Sequence, residues 1–154
     1  MKKFINNVEN ILSESLSGFG KAHADILNVS LSPDFIYRKN KSSKPKVALI
    51  SGGGSGHEPL HGGFVGTGML DAACPGQVFS APTPDQMEAA ANKVHNDKGI
   101  LFIVKNYSGD IMNFEMGADI IDHEHTTVIV NDDVAVEDST FTTGRRGVAG
   151  TMIV

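Results

Sequence analysis

The chain predicts an α/β domain of three layers, α/β/α, built around a mostly parallel sheet, and three observations carry that expectation. Val47-Ala48-Leu49-Ile50, Ile100-Leu101-Phe102-Ile103-Val104 and Thr127-Val128-Ile129-Val130 are compact apolar runs without polar alternation, the pattern of strands buried on both faces. Helical periodicity fills residues 83–94 and 108–122 between such runs, so strands alternate with helices. The runs also stop abruptly, at Ser51-Gly52-Gly53-Gly54, Lys105 and Asn131, as strands that feed short loops do.

The elements follow in order. Phe4, Ile5, Val8, Ile11, Leu12, Leu16 and Phe19 recur at helical spacing and predict an amphipathic helix ending near Gly20. Phe35-Ile36-Tyr37 reads as a short extended piece, and 47–50 as a strand that stops at Ser51-Gly52-Gly53-Gly54. Val78-Phe79-Ser80 reads as another short strand. Thr83-Pro84-Asp85-Gln86 opens a helix with Thr at the N-cap, Pro in the first turn and Gln at the capping-box position; it runs to about Val94. After the strand at 100–104, Ser108-Gly109-Asp110 opens a helix to about Asp122, and 127–130 is a strand ending at Asn131-Asp132-Asp133.

Composition excludes several classes. Thirteen Lys+Arg against eighteen Asp+Glu leave a net charge of −5, unlike a basic nucleic-acid surface. No apolar run approaches the ~20 residues a transmembrane helix needs, and no secretory apolar region follows the basic start Met1-Lys2-Lys3. One cysteine, Cys74, forms no internal disulfide and no Cys-rich metal site, so a reducing cytoplasm is expected. The sequence reads as one domain. It stops at the apolar Thr151-Met152-Ile153-Val154 with no cap or polar tail, which predicts a fragment cut inside an element.

In open α/β sheets ligands bind beyond the carboxyl ends of the strands, here 51–57, 80–84, 105–110 and 131–133. Eight of the seventeen glycines fall between Gly52 and Gly68, so the first of these segments is the obvious ligand loop. A Walker A reading fails because no lysine lies between Lys46 and Lys93; a dinucleotide fingerprint fails because Gly54-Ser55-Gly56 is followed by Pro59 where glycine is required. The loop is either a tight turn or a place where a small ligand meets the backbone. His57-Glu58-Pro59-Leu60-His61 matches a zinc-protease spacing, but Pro59 interrupts the helix that would put both histidines on one face.

His57, at a loop-to-helix transition, is expected to stay neutral and able to accept a proton, or else to be a hydrogen-bonded structural residue. Lys105 ends a buried strand and Asp110 sits in the first helical turn after it. Asp110 is either a helix-stabilising acid or an ionised carboxylate beside a cation in a cleft. Gly144-Arg145-Arg146-Gly147 reads as a solvated basic turn or an anion site, Asp132 and Asp133 as weak Mg²⁺ candidates, Cys74 as a small core side chain, and His123 and His125 as surface residues.

Taken together, these blocks carry a family likeness. Residues 47–59, Val-Ala-Leu-Ile-Ser-Gly-Gly-Gly-Ser-Gly-His-Glu-Pro, resemble the loop of the Dak1-type, dihydroxyacetone-binding K subunit of dihydroxyacetone kinases. Cys74-Pro75-Gly76, Ala81-Pro82-Thr83-Pro84, Val104 to Asp110, Asn113-Phe114-Glu115, Asn131 to Val136 and Gly144 to Thr151 follow in the family's order.

The resemblance implies the first domain of the Dak1/DegV-like architecture, with a second domain absent from residues 1–154. It implies a phosphotransferase of glycerol utilisation, cytoplasmic and homodimeric at full length. In that system the chain would hold dihydroxyacetone while an L-type partner carries the nucleotide and Mg²⁺, with phosphoenolpyruvate or ATP as ultimate donor. No cofactor or metal is expected on this chain, nor any nucleic-acid or membrane partner. The substrate loop maps onto Gly54, Ser55, Gly56 and His57, the binding lysine onto Lys105, and the acidic catalytic residue onto Asp110. Asp110 would take or orient the proton of the attacking hydroxyl, and His57 would bond the substrate's oxygen and assist proton movement. In the family a further histidine captures the ketose covalently; His23, His61, His95, His123 and His125 lie in no matching motif, so the chain alone is expected to be inactive. Relatives also include a non-enzymatic class, ketose-sensing co-activators of a transcriptional regulator.

Overall fold

In the computed structural model, which describes residues 2–137 and 144–154, six strands form one sheet in the order β1-β2-β4-β3-β5-β6. β1 (Leu27–Leu31) and β2 (Asp34–Arg38) make an antiparallel hairpin at one edge. β3 (Lys46–Ser55), β4 (Ala72–Val78), β5 (Asp97–Lys105) and β6 (His125–Val130) run parallel to one another. β2 joins them antiparallel through Ile36 and Tyr37 against Ala73 and Ala72.

Three helices cover the sheet. α1 (Ile11–Ala22) sets Leu12 and Leu16 against Leu27, Ile36, Ala73, Ile103 and Val130 on one face. α2 (Pro84–Val94) and α3 (Ser108–Asp119) set Met87, Ala90, Phe114 and Ala118 against Ile50, Cys74, Phe102 and Val104 on the other. The three-layer α/β expectation therefore holds. β5 shows why its sequence is unalternated: Phe102 and Val104 feed one core while Ile103 feeds the other.

Several boundaries differ from the sequence reading, each for a physical reason. The first helix begins at Ile11 after a 3₁₀ turn at Val8–Asn10, and Phe4 lies fully exposed because no element packs over it. β1 is an additional strand. The strand expected at 78–80 is instead Ala72–Val78; Phe79 has φ +54 and turns the chain away from the sheet. α3 stops at Asp119 rather than near Asp122. β6 starts at His125 and, as an edge strand, leaves all but Val130 exposed, so it is not buried on both faces.

The largest difference lies in the glycine run. Ser51 to Gly54 do not form a loop but continue β3, pairing with Ala73 to Gly76 on one side, while Ser51 and Gly52 also pair with Ile103 and Val104 on the other. Glycine is needed there for space: a Cβ on Gly52 would sit 2.5 Å from the Cys74 carbonyl oxygen, and one on Gly54 would sit 2.7 Å from the Ser80 nitrogen. At the opposite end of the sheet the buried Asp71 carboxylate is paired with Lys46 and, at 3.0 Å, with Arg38, and accepts the Leu49 N–H at 2.9 Å.

Candidate functional site

A cleft of about 540 Å³ opens beyond the carboxyl ends of β3, β4 and β5, where open parallel sheets bind ligands. Gly54 forms part of it, and His57, Lys105 and Asp110 all line it, joined by Phe79, Ser80, Ala81, Tyr107, Ser108, Gly109 and Arg146. Four of the six residues singled out from the sequence thus converge. The other two lie elsewhere. Ser55 donates its hydroxyl hydrogen to the Gly76 carbonyl at 2.7 Å, Gly56 donates its N–H to Glu58 at 2.9 Å, and both border a separate apolar groove against α1.

Each side chain has an identifiable support. Lys105 is the last residue of β5 and is only 1% exposed, with its ammonium 5.0 Å from the centre of the Tyr107 ring. Burial lowers its pKa, and Asp110 opposes that shift. Asp110 stands in the first turn of α3, 5% exposed. Burial pushes its carboxyl up to about 6 against the pull of Lys105. It is therefore a weaker acid than the fully ionised carboxylate expected beside a cation, because desolvation outweighs attraction. A group titrating near neutrality can both accept and return a proton.

His57 is half-buried, edge-on to Phe79 at 5.8 Å and to Tyr107 at 6.0 Å between ring centres. Its pKa is lowered, as expected, but by a different cause. No α-helix follows the loop, only a turn and a 3₁₀ segment at Gly62–Phe64. Burial and then Lys105 disfavour the imidazolium, and Glu58 partly opposes them. The missing helix also removes the frame that a His-Glu-x-x-His metal site requires.

Other assignments resolve similarly. Asp132 accepts the N–H groups of Val148 at 2.7 Å and Gly150 at 2.6 Å, which holds its carboxyl below the usual range. It clasps the 148–151 turn rather than facing the cleft. Asp133 donates its N–H to the Arg146 carbonyl at 3.0 Å, which helps set Arg146 over Tyr107, 5.7 Å from the ring centre. The sequence reading left Arg146 in a basic turn or an anion site; its link to the cleft depends on a fold-back from β6 that no local pattern encodes. Cys74 is fully buried with its thiol pKa pushed up, and His123 and His125 are on the surface, as expected.

The lining offers one carboxylate against two fixed cations, Lys105 and Arg146. That set suits a small hydroxylic or anionic ligand and not a divalent metal, which prefers several oxygen donors. Among the described residues no helix is long and apolar enough to cross a membrane.

Comparisons with known proteins agree with this fold. The Dak1 domain profile matches residues 17–154. The chain is 49% identical over its whole length to the dihydroxyacetone-binding subunit DhaK of the PEP-dependent dihydroxyacetone kinase of Escherichia coli K12, of which it covers 44%. It superposes with TM-score 0.89 and 37% identity on the crystal structure of the dihydroxyacetone kinase from C. freundii in complex with AMP-PNP and Mg²⁺, covering 99% of this chain and 29% of that one. The dihydroxyacetone kinase operon co-activator Dha-DhaQ follows with TM-score 0.80 and 34% identity, over 91% of this chain and 43% of that one. The chain spans about half the length of the curated bacterial subunits it matches. With the profile running from α1 through the cleft to the last residue, the chain belongs to the Dak1 domain family.

Proposed function

We propose that this chain carries the ketose-binding face of a dihydroxyacetone kinase subunit, acting in the cytoplasm as part of a homodimeric full-length protein. The observation that supports it best is the convergence of Gly54, His57, Lys105 and Asp110, from three segments distant in sequence, on one cleft. Dihydroxyacetone would lie against the Gly54 backbone with Lys105 bonded to one hydroxyl and His57 to an oxygen. Asp110 would take the proton of the primary hydroxyl as that oxygen attacks the terminal phosphorus. The bond from that phosphorus to its bridging oxygen breaks, and the nucleoside diphosphate leaves on an L-type partner that carries nucleotide and Mg²⁺. General base assistance contributes roughly 10²–10⁴-fold, and alignment of hydroxyl and donor supplies much of the remainder. The 49% identity to a PEP-dependent subunit favours phosphoenolpyruvate as the ultimate donor.

Among the described residues His57 is the one histidine on the cleft, and we assign covalent capture of the ketose to a residue outside the chain. The isolated chain is therefore inactive and forms no lasting adduct. Titrating the isotope-labelled chain with dihydroxyacetone should move resonances of His57, Lys105 and Asp110; unmoved resonances at saturating ketose refute the site. A persistent adduct by mass spectrometry refutes the placement of the capturing residue. A second reading, a ketose sensor docking on a regulator, is favoured by the likeness to the co-activator. Phosphorylation of dihydroxyacetone by the full-length protein with an L-type partner decides for the kinase; ketose-dependent binding to a regulator without turnover decides for the sensor.

A further inference from the structure

His61 is 6% exposed, and its Nε2 is the one buried side-chain nitrogen or oxygen among the described residues without a hydrogen-bond partner. Buried polar atoms are rarely left unpaired, so each exception asks for a cause. The other ring nitrogen fixes the tautomer. The Ser51 hydroxyl donates its only hydrogen to the Ile103 carbonyl at 2.6 Å, and His61 Nδ1 lies 2.8 Å from Ser51 Oγ. Ser51 Oγ must then accept, so Nδ1 carries the proton and Nε2 presents a lone pair. That lone pair shares its surroundings with one cation. A Cβ built on Gly53 would lie 3.0 Å from His61 Nε2 and 3.3 Å from both Cε and Nζ of Lys105, so the absent side chain of Gly53 leaves a gap flanked by both.

We propose that His61 is a positioning residue for Lys105: its Nε2 accepts a hydrogen bond from the ammonium across Gly53, so that the Ile103 carbonyl, the Ser51 hydroxyl, the His61 ring and Lys105 form one chain between β3 and β5. The two nitrogens flank that gap without a bond in the structure, and the proposed bond needs the ammonium to turn into it. The ring stays neutral throughout the physiological range, since burial, Lys105 and His57 together bring its pKa down to about 3. An ammonium donates three hydrogens, so one bond to His61 leaves two for the cleft. The functional meaning rests on the ketose reading above, because Lys105 is one of the groups assigned to grip the ketose; the geometry does not.

The test is nitrogen-detected NMR of the histidine- and lysine-labelled 154-residue chain, without ketose. We expect His61 Nδ1 protonated and Nε2 unprotonated, with the Nε2 resonance moving toward that of a free imidazole nitrogen in Lys105→Met. His61→Asn, which keeps a donor to Ser51 but removes the distal acceptor, should lower the pH at which Lys105 titrates. His61→Gln, whose carbonyl oxygen reaches the Nε2 position, should restore it. A protonated Nε2, or an Nε2 resonance indifferent to Lys105→Met, overturns the proposal, and this readout stands even if the His61 variants do not fold. A ketose titration of the same proteins separates the two ideas. Absence of ketose binding by the wild-type chain sinks the function proposed above and leaves the spectra to decide the His61–Lys105 bond.

Discussion

Asp110→Asn should make the chain more stable at neutral pH. The carboxyl is 5% exposed and is pushed from its ordinary 3.8 up to about 6, burial outweighing the attraction of Lys105. An acid whose folded pKa is raised binds more protons folded than unfolded between those two values. Stability therefore falls as pH rises from about 4 to about 6, and the deficit is complete above that. At 1.36 kcal/mol per pH unit the shift corresponds to about 3 kcal/mol; water in the open cleft screens the charge, so roughly 1–2 kcal/mol is expected. Asn is nearly isosteric and never ionises. Urea denaturation at pH 3.5, 5 and 7.5 should show the variant matching the wild type at the lowest pH and gaining about 1–2 kcal/mol at the highest, roughly 3–6 °C in Tm. A difference independent of pH, or a destabilised variant at pH 7.5, would refute the account of Asp110 as a desolvated acid.

Three further outcomes are expected. Gly54→Ala forces a Cβ to within 2.7 Å of the Ser80 nitrogen and 2.9 Å of the Phe79 carbonyl carbon, which should cost about 1–3 kcal/mol by urea titration and weaken any ligand bound in the cleft. The Cys74 thiol, fully buried with a raised pKa, should resist a thiol reagent in buffer and react in urea at a rate that tracks unfolding. Asp132→Asn removes a carboxylate that accepts the Val148 and Gly150 N–H groups, so limited proteolysis should cut within residues 144–154 sooner than in the wild type. For the wild type, that grip is present at neutral pH and released as pH falls through the depressed pKa of Asp132.

Some of this was legible in the residues and some was not. Thr83, Pro84 and Gln86 carry their own boundary signal, and the helix starts at Pro84 with the capping box formed. Lys105 and Asp110 were found because a buried apolar strand and the helix after it fix where the strand ends. β4 was illegible because Ala72-Ala73-Cys74-Pro75-Gly76 contains no β-branched or aromatic residue. It is a strand by virtue of its neighbours, and Pro75 is tolerated because β2 pairs only as far as Ala73. The glycines of β3 looked like a loop because propensity penalises them, whereas close approach of Cys74 and Ser80 demands them. Arg146 and His61 each sat in a local motif, a basic turn and a His-Glu-x-x-His spacing, that did not point to Lys105 or the cleft, since each matters through a neighbour far along the chain.

The way β5 deals its side chains has one more consequence. Lys105 follows Ile103 on the side packed by α1, whereas Asp110 arrives with α3, whose Phe114 and Ala118 belong to the opposite core. Anything gripped by both spans the sandwich like a rivet through two plates. Occupancy would then fasten two otherwise separate hydrophobic compartments, and melting of either one alone would release the cargo.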